Sequence, residues 1–273
     1  MNKQLLPIGV FDSGMGGLTV LRALKNALPH ESFIYLGDTA RLPYGTKSPE
    51  TVKQYALQMA RILVERQIKA LVIACNTATT AALPHLQAML PDIAVIGVVG
   101  PGAEAVIAAT SNQRIMVFAT ETTIASQVYQ QFILEKLPDA MIHTQACSLL
   151  VALAEEGMQD NCIALETLKH YLASFHDQDT LLLGCTHFPV FKPMLKQLLP
   201  THVNIVDSAD ATARTLKKLL IDSDLLNSET TCLGSTHYLV TDSASRFHKV
   251  SPIFLGESIH VDAIEMVDGL KLD

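Results

Sequence analysis

Short apolar runs alternate with longer stretches of helical periodicity along this chain. The runs at 8–11, 33–36, 71–74, 95–98, 115–118, 141–145, 181–183 and 203–206 predict strands. Between them, 18–27, 50–66, 125–135 and 165–175 have the spacing of helices. Alternation of this kind predicts βαβ units, and the nearly all-apolar runs fit parallel strands covered by helices on both faces. The last third is less regular. Its polar stretch 222–231 predicts a loop, followed by a strand at 237–241 and a short helix from Ala244.

A second pattern suggests two related halves. An early strand ends in Phe11-Asp12-Ser13-Gly14 and a later one in Ala74-Cys75-Asn76-Thr77; further on, Phe118-Ala119-Thr120 and Gly184-Cys185-Thr186 repeat the arrangement. Cys75 follows Asp12 by 63 residues and Cys185 follows Thr120 by 65. In each half a cysteine and small polar residues follow the carboxyl ends of strands, where open parallel sheets hold their ligands. Two such ends facing each other form a cleft with one thiol on each wall. The chain crosses between the halves near Val98 and again near Asp207.

Composition narrows the class. With 273 residues, 49% hydrophobic and 17% charged, the chain can bury a large core and is not disordered. A net charge of −7 with scattered basic residues gives no electrostatic reason to bind nucleic acid or an anionic membrane. The longest apolar stretch, 93–109, is interrupted by Gly97, Gly100, Pro101, Gly102 and Glu104, which argues against a membrane span. The residues before Asp12 lack the pattern of a signal peptide, and five widely spaced cysteines fit free thiols in a reducing compartment. These features predict a cytoplasmic protein.

The chemistry-bearing residues sit at the predicted strand ends. Cysteine alone is commonly a small buried hydrophobe, but Cys75 and Cys185 share strand-end positions and polar flanks that Cys147, Cys162 and Cys232 lack. Inverting a stereocentre by proton transfer needs a base on one face of the carbon and an acid on the other, and one residue type serves both roles when the reaction reverses. The abstracting cysteine must be a thiolate, which calls for polar or positive neighbours that lower its pKa, while the other must remain a thiol, ready to donate. Backbone amides, Asn76, Thr77 and Thr186 are candidate donors for charge developing on a substrate carboxylate. His187 reads equally as a packed structural histidine and as a partner of the Cys185 thiol. The Cys-x-His spacing is unlike paired metal ligands and no CxxC accompanies it, so no metal is expected. The glycine-rich turn Ser13-Gly14-Met15-Gly16-Gly17 departs from a dinucleotide fingerprint because Thr19 stands at the third glycine, and it has no P-loop lysine. Asp12 suits a substrate ammonium group or a proton relay better than a phosphate. Leu42-Pro43-Tyr44-Gly45 is a rigid turn and a candidate wall of the site.

Taken together these motifs closely resemble glutamate racemase. The resemblance rests on Val10-Phe11-Asp12-Ser13-Gly14-x-Gly16-Gly17, Leu42-Pro43-Tyr44-Gly45-x-Lys47-Ser48, Ala74-Cys75-Asn76-Thr77-Ala78, Gly184-Cys185-Thr186-His187-Phe188-Pro189 and Val206-Asp207-Ser208, with Thr241-Asp242 and Phe254-Leu255-Gly256 near the end. It implies an α/β fold of two pseudo-symmetric lobes, each a mainly parallel sheet flanked by helices, with the active site in the cleft between them. The first lobe would comprise 1–98 plus 208–273 and the second 99–207. It implies interconversion of L- and D-glutamate for peptidoglycan synthesis, with no pyridoxal phosphate, no metal and no other cofactor. Glutamate is the implied small-molecule substrate; nucleic acid and membrane are not implied as partners, and a homodimer stays open. Cys75 would deprotonate D-glutamate and Cys185 L-glutamate, with Asp12 and His187 assisting. Asp12, Ser13, Tyr44, Gly45, Asn76, Thr77, Thr120, Thr186 and His187 would line the substrate site, and Thr122, Thr123 and Glu155 would lie near it. Phe188 stands where tyrosine is common, and Thr79-Thr80 where smaller residues are usual. With eleven residues before Asp12, activation through an N-terminal extension is not expected. A racemase for aspartate, a Cys185–His187 acyl-transfer enzyme that leaves Cys75 unused, and a ligand-binding module with incidental thiols are the alternatives.

Overall fold

A computed structural model describes residues 2–229 and 231–269. The chain runs β1 (Ile8–Asp12), α1 (Leu18–Ala27), β2 (Phe33–Gly37), α2 (Pro49–Glu65), β3 (Ala70–Ile73), α3 (Asn76–Met89) and β4 (Ala94–Gly97). It continues through α4 (Val99–Ala109), β5 (Arg114–Ala119), α5 (Glu121–Ala125), α6 (Val128–Lys136), β6 (Met141–Ala146), α7 (Ser148–Glu155), α8 (Cys162–Tyr171), β7 (Thr180–Gly184), α9 (Lys192–Leu198) and β8 (Asn204–Asp207). Then follow α10 (Ala209–Asp222), β9 (Thr236–Val240), α11 (Ala244–Leu255) and β10 (Ile264–Met266). The predicted loop 222–231 includes Thr230, which lies outside the described residues, as do 270–273 of the predicted first lobe.

The strands form two sheets, one in each lobe. One has six strands in the order β10-β9-β2-β1-β3-β4, the other four in the order β6-β5-β7-β8, and every neighbouring pair is parallel. The inner orders β2-β1-β3-β4 and β6-β5-β7-β8 are the same topology used twice, as the repeated strand-end motifs predict. In this order the winding reverses between the first and third strands of each unit, which opens a crevice at their carboxyl ends. Phe11 pairs with Ile73 and Phe118 with Leu183 across those two strand pairs. The residues that follow, Asp12 and Cys75 in one lobe and Thr120 and Cys185 in the other, therefore emerge side by side.

Local sequence fixes the helix ends that matter here. Ser48 caps α2 by accepting from Thr51 N–H, with Pro49 in the first turn. Cys75 caps α3, its Sγ accepting from Ala78 N–H at 3.4 Å, so the first predicted thiol stands at a helix N-terminus. The predicted helix 125–135 is instead two helices. Gln127 takes a left-handed φ of 56°, and Ser126 Oγ both donates to Thr123 carbonyl and accepts from Val128 N–H. The break reorients α6 and buries Tyr129. The predicted helix 165–175 starts earlier, because Asn161 caps it by accepting from Ala164 N–H. It gives way to a 3-10 turn at Leu172–Ser174.

Across the base of the first lobe, away from the cysteines, Lys69 and Glu31 form a buried ion pair at 2.5 Å. Lys69 Nζ also donates to the carbonyls of Gln4 and Leu225, and Glu31 Oε1 accepts from Asn227 N–H. The pair thus ties the N-terminal turn and the segment after α10 to the sheet. Removing one partner of such a pair strands a buried charge, whereas an exposed pair contributes little. Lys69→Met is expected to lower the unfolding free energy by about 3–5 kcal/mol. Arg66→Ala, which breaks the exposed Arg66–Glu265 pair, should cost under about 1 kcal/mol. Urea denaturation of both variants checks the contrast, and equal losses would refute it.

Candidate active site

The facing strand ends bring most of the predicted site residues together. Asp12, Ser13, Tyr44, Cys75, Asn76, Thr77, Thr120, Cys185, Thr186 and His187 are all buried. Three sets of contacts join the lobes around them. Thr186 Oγ1 donates to Asp12 Oδ1 at 3.3 Å, and Thr19 on α1 donates to the Thr186 carbonyl at 3.0 Å. Thr77 Oγ1 lies 2.9 Å from Thr120 Oγ1 and 3.3 Å from Thr123 Oγ1, making a ring of three hydroxyls. Thr122 binds the turn after β2: its N–H and Oγ1 reach Gly45 carbonyl at 3.1 and 3.0 Å, and its Oγ1 reaches Lys47 carbonyl at 2.9 Å.

Two of these approaches admit no side chain. A Cβ on Gly16 would stand 2.4 Å from His187 Nδ1, and one on Gly45 would stand 2.4 Å from Thr120 Cβ. Glycine at these positions lets the backbone of one lobe touch the side chains of the other.

The two thiols have different surroundings. Cys75 Sγ donates to Ser13 Oγ at 3.6 Å. Burial pushes this thiol up to about 12, with the Asp12 charge acting in the same direction and the Ala78 N–H opposing it. Desolvation thus outweighs the helix-terminal amide at Cys75, the environment of a cysteine that keeps its proton. Cys185 Sγ lies 3.8 Å from His187 Nδ1, and His187 Nε2 pairs with Glu155 Oε1 at 2.7 Å. Burial opposes the charged imidazole, but hydrogen bonds to Cys185 and Glu155 outweigh it and hold His187 well above its usual value. Asp12 is raised by burial, with His187 and the Gly17 and Gly14 amides opposing. One thiol thus faces a carboxyl and the other a cation.

Several residues act differently from their sequence reading. The Tyr44 hydroxyl donates to Asp38, which also accepts from Arg41 Nε at 2.7 Å and Thr241 Oγ1 at 2.9 Å. Asn76 spends its Nδ2 on the Tyr129 hydroxyl at 2.6 Å, leaving Oδ1 buried without a partner among the described residues. Thr79 donates to Ile73 carbonyl and accepts from Val98 N–H, so it ties the end of β3 to the crossover. Phe188 is fully buried, a setting that needs no phenolic hydroxyl. Thr19, Asp38 and Tyr129 were not among the predicted site residues. Asp38 could have been found from its place one residue beyond β2, as Asp12 was from the end of β1; Thr19 and Tyr129 lie within helices and give no such signal.

Solved structures similar to this chain include glutamate racemases. Glutamate racemase from Thermus thermophilus in complex with β-chloro-D-alanine superposes with a TM-score of 0.85 at 40% identity, covering 97% of each chain. The Francisella tularensis glutamate racemase in complex with D-glutamate gives 0.89 at 36% identity, covering 98% of this chain and 99% of that one. A sequence profile described as Asp/Glu/Hydantoin racemase matches residues 8–216, and the chain belongs to that family. Within it, the chain is 48% identical over 251 residues to the glutamate racemase of Geobacter metallireducens, covering 91% of this chain and 92% of that protein.

The thiol environments give a direct expectation. Alkylation by iodoacetamide at pH 8 requires both exposure and thiolate. Cys162 and Cys232 are exposed, whereas Cys75 is buried and pushed up to about 12. Peptide mapping by mass spectrometry should show Cys162 and Cys232 labelled at least about tenfold faster than Cys75. Early labelling of Cys75 would contradict the assigned environment.

Proposed function

We propose that this chain interconverts L- and D-glutamate without pyridoxal phosphate or metal, moving the α-proton between Cys75 and Cys185. The reading is carried by one observation: each repeat of the strand order ends in a buried thiol at its crevice, and the two crevices face each other. The glutamate racemase names of the relatives supply the substrate. The lobes are taken as 1–98 with 208–273, and 99–207. The D-glutamate produced would serve peptidoglycan synthesis in the cytoplasm.

In the direction from L-glutamate, the Cys185 thiolate removes the α-proton while the imidazolium of His187, 3.8 Å away, balances its charge. Glu155 holds that imidazolium at Nε2. Negative charge then spreads from the α-carbon onto the carboxylate. Ala78 N–H is held by Cys75 Sγ, but the N–H groups of Asn76 and Thr77 at the start of α3 are suited, with the Thr77 and Thr186 hydroxyls, to receive it. Cys75, which keeps its proton because of burial and Asp12, delivers that proton to the opposite face. D-glutamate leaves Cys75 as thiolate and Cys185 as thiol, and the reverse reaction begins from that state. The free Oδ1 of Asn76 is an acceptor for the substrate ammonium group. Ser13 bonds the Cys75 thiol, while Gly45 holds the second lobe through Thr122.

Replacing one cysteine at a time separates the two faces. Cys185→Ala in deuterated water should exchange the α-proton of D-glutamate with retained configuration and leave L-glutamate nearly untouched. Cys75→Ala should do the reverse. Both should lose net racemisation by several orders of magnitude, whereas Cys147→Ala, Cys162→Ala and Cys232→Ala remain active. Equal exchange into both enantiomers by one variant would rule out the two-base assignment.

The proton on Cys75 also sets a pH expectation. Turnover of L-glutamate needs Cys75 protonated and Cys185 ionised. Since Cys75 is pushed up to about 12, kcat should fall at acid pH and stay level to at least about pH 10. A kcat–pH profile that turns down near pH 8, with chemistry rate-limiting, would contradict this proton inventory.

A further inference from the structure

Tyr129 is a second-lobe residue, 1% exposed, that touches the neighbours of both thiols. Its ring packs on Gly184, the residue before Cys185, closely enough that a Cβ on Gly184 would stand 2.9 Å from Tyr129 Cε2. Its hydroxyl accepts from Nδ2 of Asn76, the residue after Cys75, at 2.6 Å. Beyond Asn76, the same hydroxyl lies against Gly102 of α4, 3.2 Å from where a Cβ there would stand, and Ser208 abuts that point too. A single side chain thus spans from one reacting strand end to the other, beside both crossovers.

We propose that Tyr129 is a positioning residue: its hydroxyl fixes the Asn76 amide so that Oδ1 faces the substrate ammonium group, while its ring sets the backbone that carries Cys185. This rests on the racemase reading above.

The chemistry follows from the two ends of the amide. A carboxamide has a donor end and an acceptor end of nearly the same shape, and rotation by half a turn exchanges them. With Nδ2 bonded to Tyr129, the acceptor end is left over, and it is buried beside Cys75 with no partner among the described residues. An unsatisfied buried carbonyl oxygen is unfavourable until a donor arrives, and an ammonium group is the donor that glutamate carries. Without the phenol, the amide loses that bond, and its acceptor end is no longer held for the ammonium group. Burial raises the Tyr129 phenol above its usual range, so the group stays neutral throughout the working pH. Phenylalanine at 129 would preserve the contact with Gly184 and lose only the hold on Asn76.

The test compares two ligands on the intact enzyme. Tyr129→Phe should raise KM for D- and L-glutamate about tenfold or more and change kcat less than about threefold, the pattern of lost binding common to ground and transition states. Glutarate, the same dicarboxylate without the amino group, should inhibit the variant and the parent within about twofold of each other. Asn76→Ala should show the same split, and the double variant should be no worse than Asn76→Ala alone, since both remove one interaction. Melting temperatures are measured alongside. If Tyr129→Phe unfolds early, Asn76→Ala carries the glutamate–glutarate comparison by itself. A parent enzyme that does not racemise glutamate would overturn the functional reading itself. With an active parent, a Tyr129→Phe KM within twofold of normal, multiplying losses in the double variant, or equal weakening of glutarate would each overturn the positioning role while leaving the racemase reading intact.

Discussion

Contact between the lobes depends on glycine. At Gly16 and Gly45 the backbone of the first lobe comes so near to His187 and Thr120 of the second that no Cβ fits. Everything else at the site assumes that approach. The Thr186–Asp12 bond, the ring of threonine hydroxyls and the grip of Thr122 on the Gly45 and Lys47 carbonyls form at this separation. A methyl group at either glycine would act as a wedge rather than as a local defect. The cost would then spread over hydrogen bonds that do not involve the glycine.

Within that closed arrangement the two halves are alike in backbone and unlike in charge. The strand orders match, and each places a cysteine after its third strand. Yet one thiol has a buried carboxyl for a neighbour and the other has a buried imidazole tied to a glutamate. A pair of identical environments would favour both thiols protonated or both ionised, and neither state can move a proton across a carbon atom. On the proposed two-thiol reading, charge asymmetry on a symmetric scaffold is what would leave the pair one proton to share.

Much of this was legible in the sequence because buried parallel strands are continuous apolar runs, and the residue just past each run is where ligands bind. That rule singles out Asp12 and Cys75, one residue past their runs, and Thr120 and Cys185, two past theirs. Helix boundaries were less legible. Nothing in the periodicity of 125–135 announces the left-handed turn at Gln127, and without that turn Tyr129 reads as one more core aromatic. Direction was illegible as well. Tyr44 and Asn76 have the right residue types for substrate contact, but the first gives its hydroxyl to Asp38 and the second its amide donor to Tyr129. Which of the two cysteines keeps its proton was not legible either, because a motif displays the capping amide and the polar flanks but not the burial that outweighs them at Cys75.

The route of the chain through the six-stranded sheet has a consequence for how the protein is made. The strands β5 to β8 lie between residues 114 and 207, so the second sheet is complete once that stretch has left the ribosome. The first sheet is not. Its β2 edge is covered by β9, with Phe33 opposite Thr236. Until that late segment emerges, the backbone of β2 offers an unpaired row of amides and carbonyls, the kind of template that recruits strands from other chains. Synthesis from the N-terminus therefore leaves the earliest strands waiting longest for their neighbour, and the nascent chain is most prone to misassociation at an edge that the finished molecule never exposes.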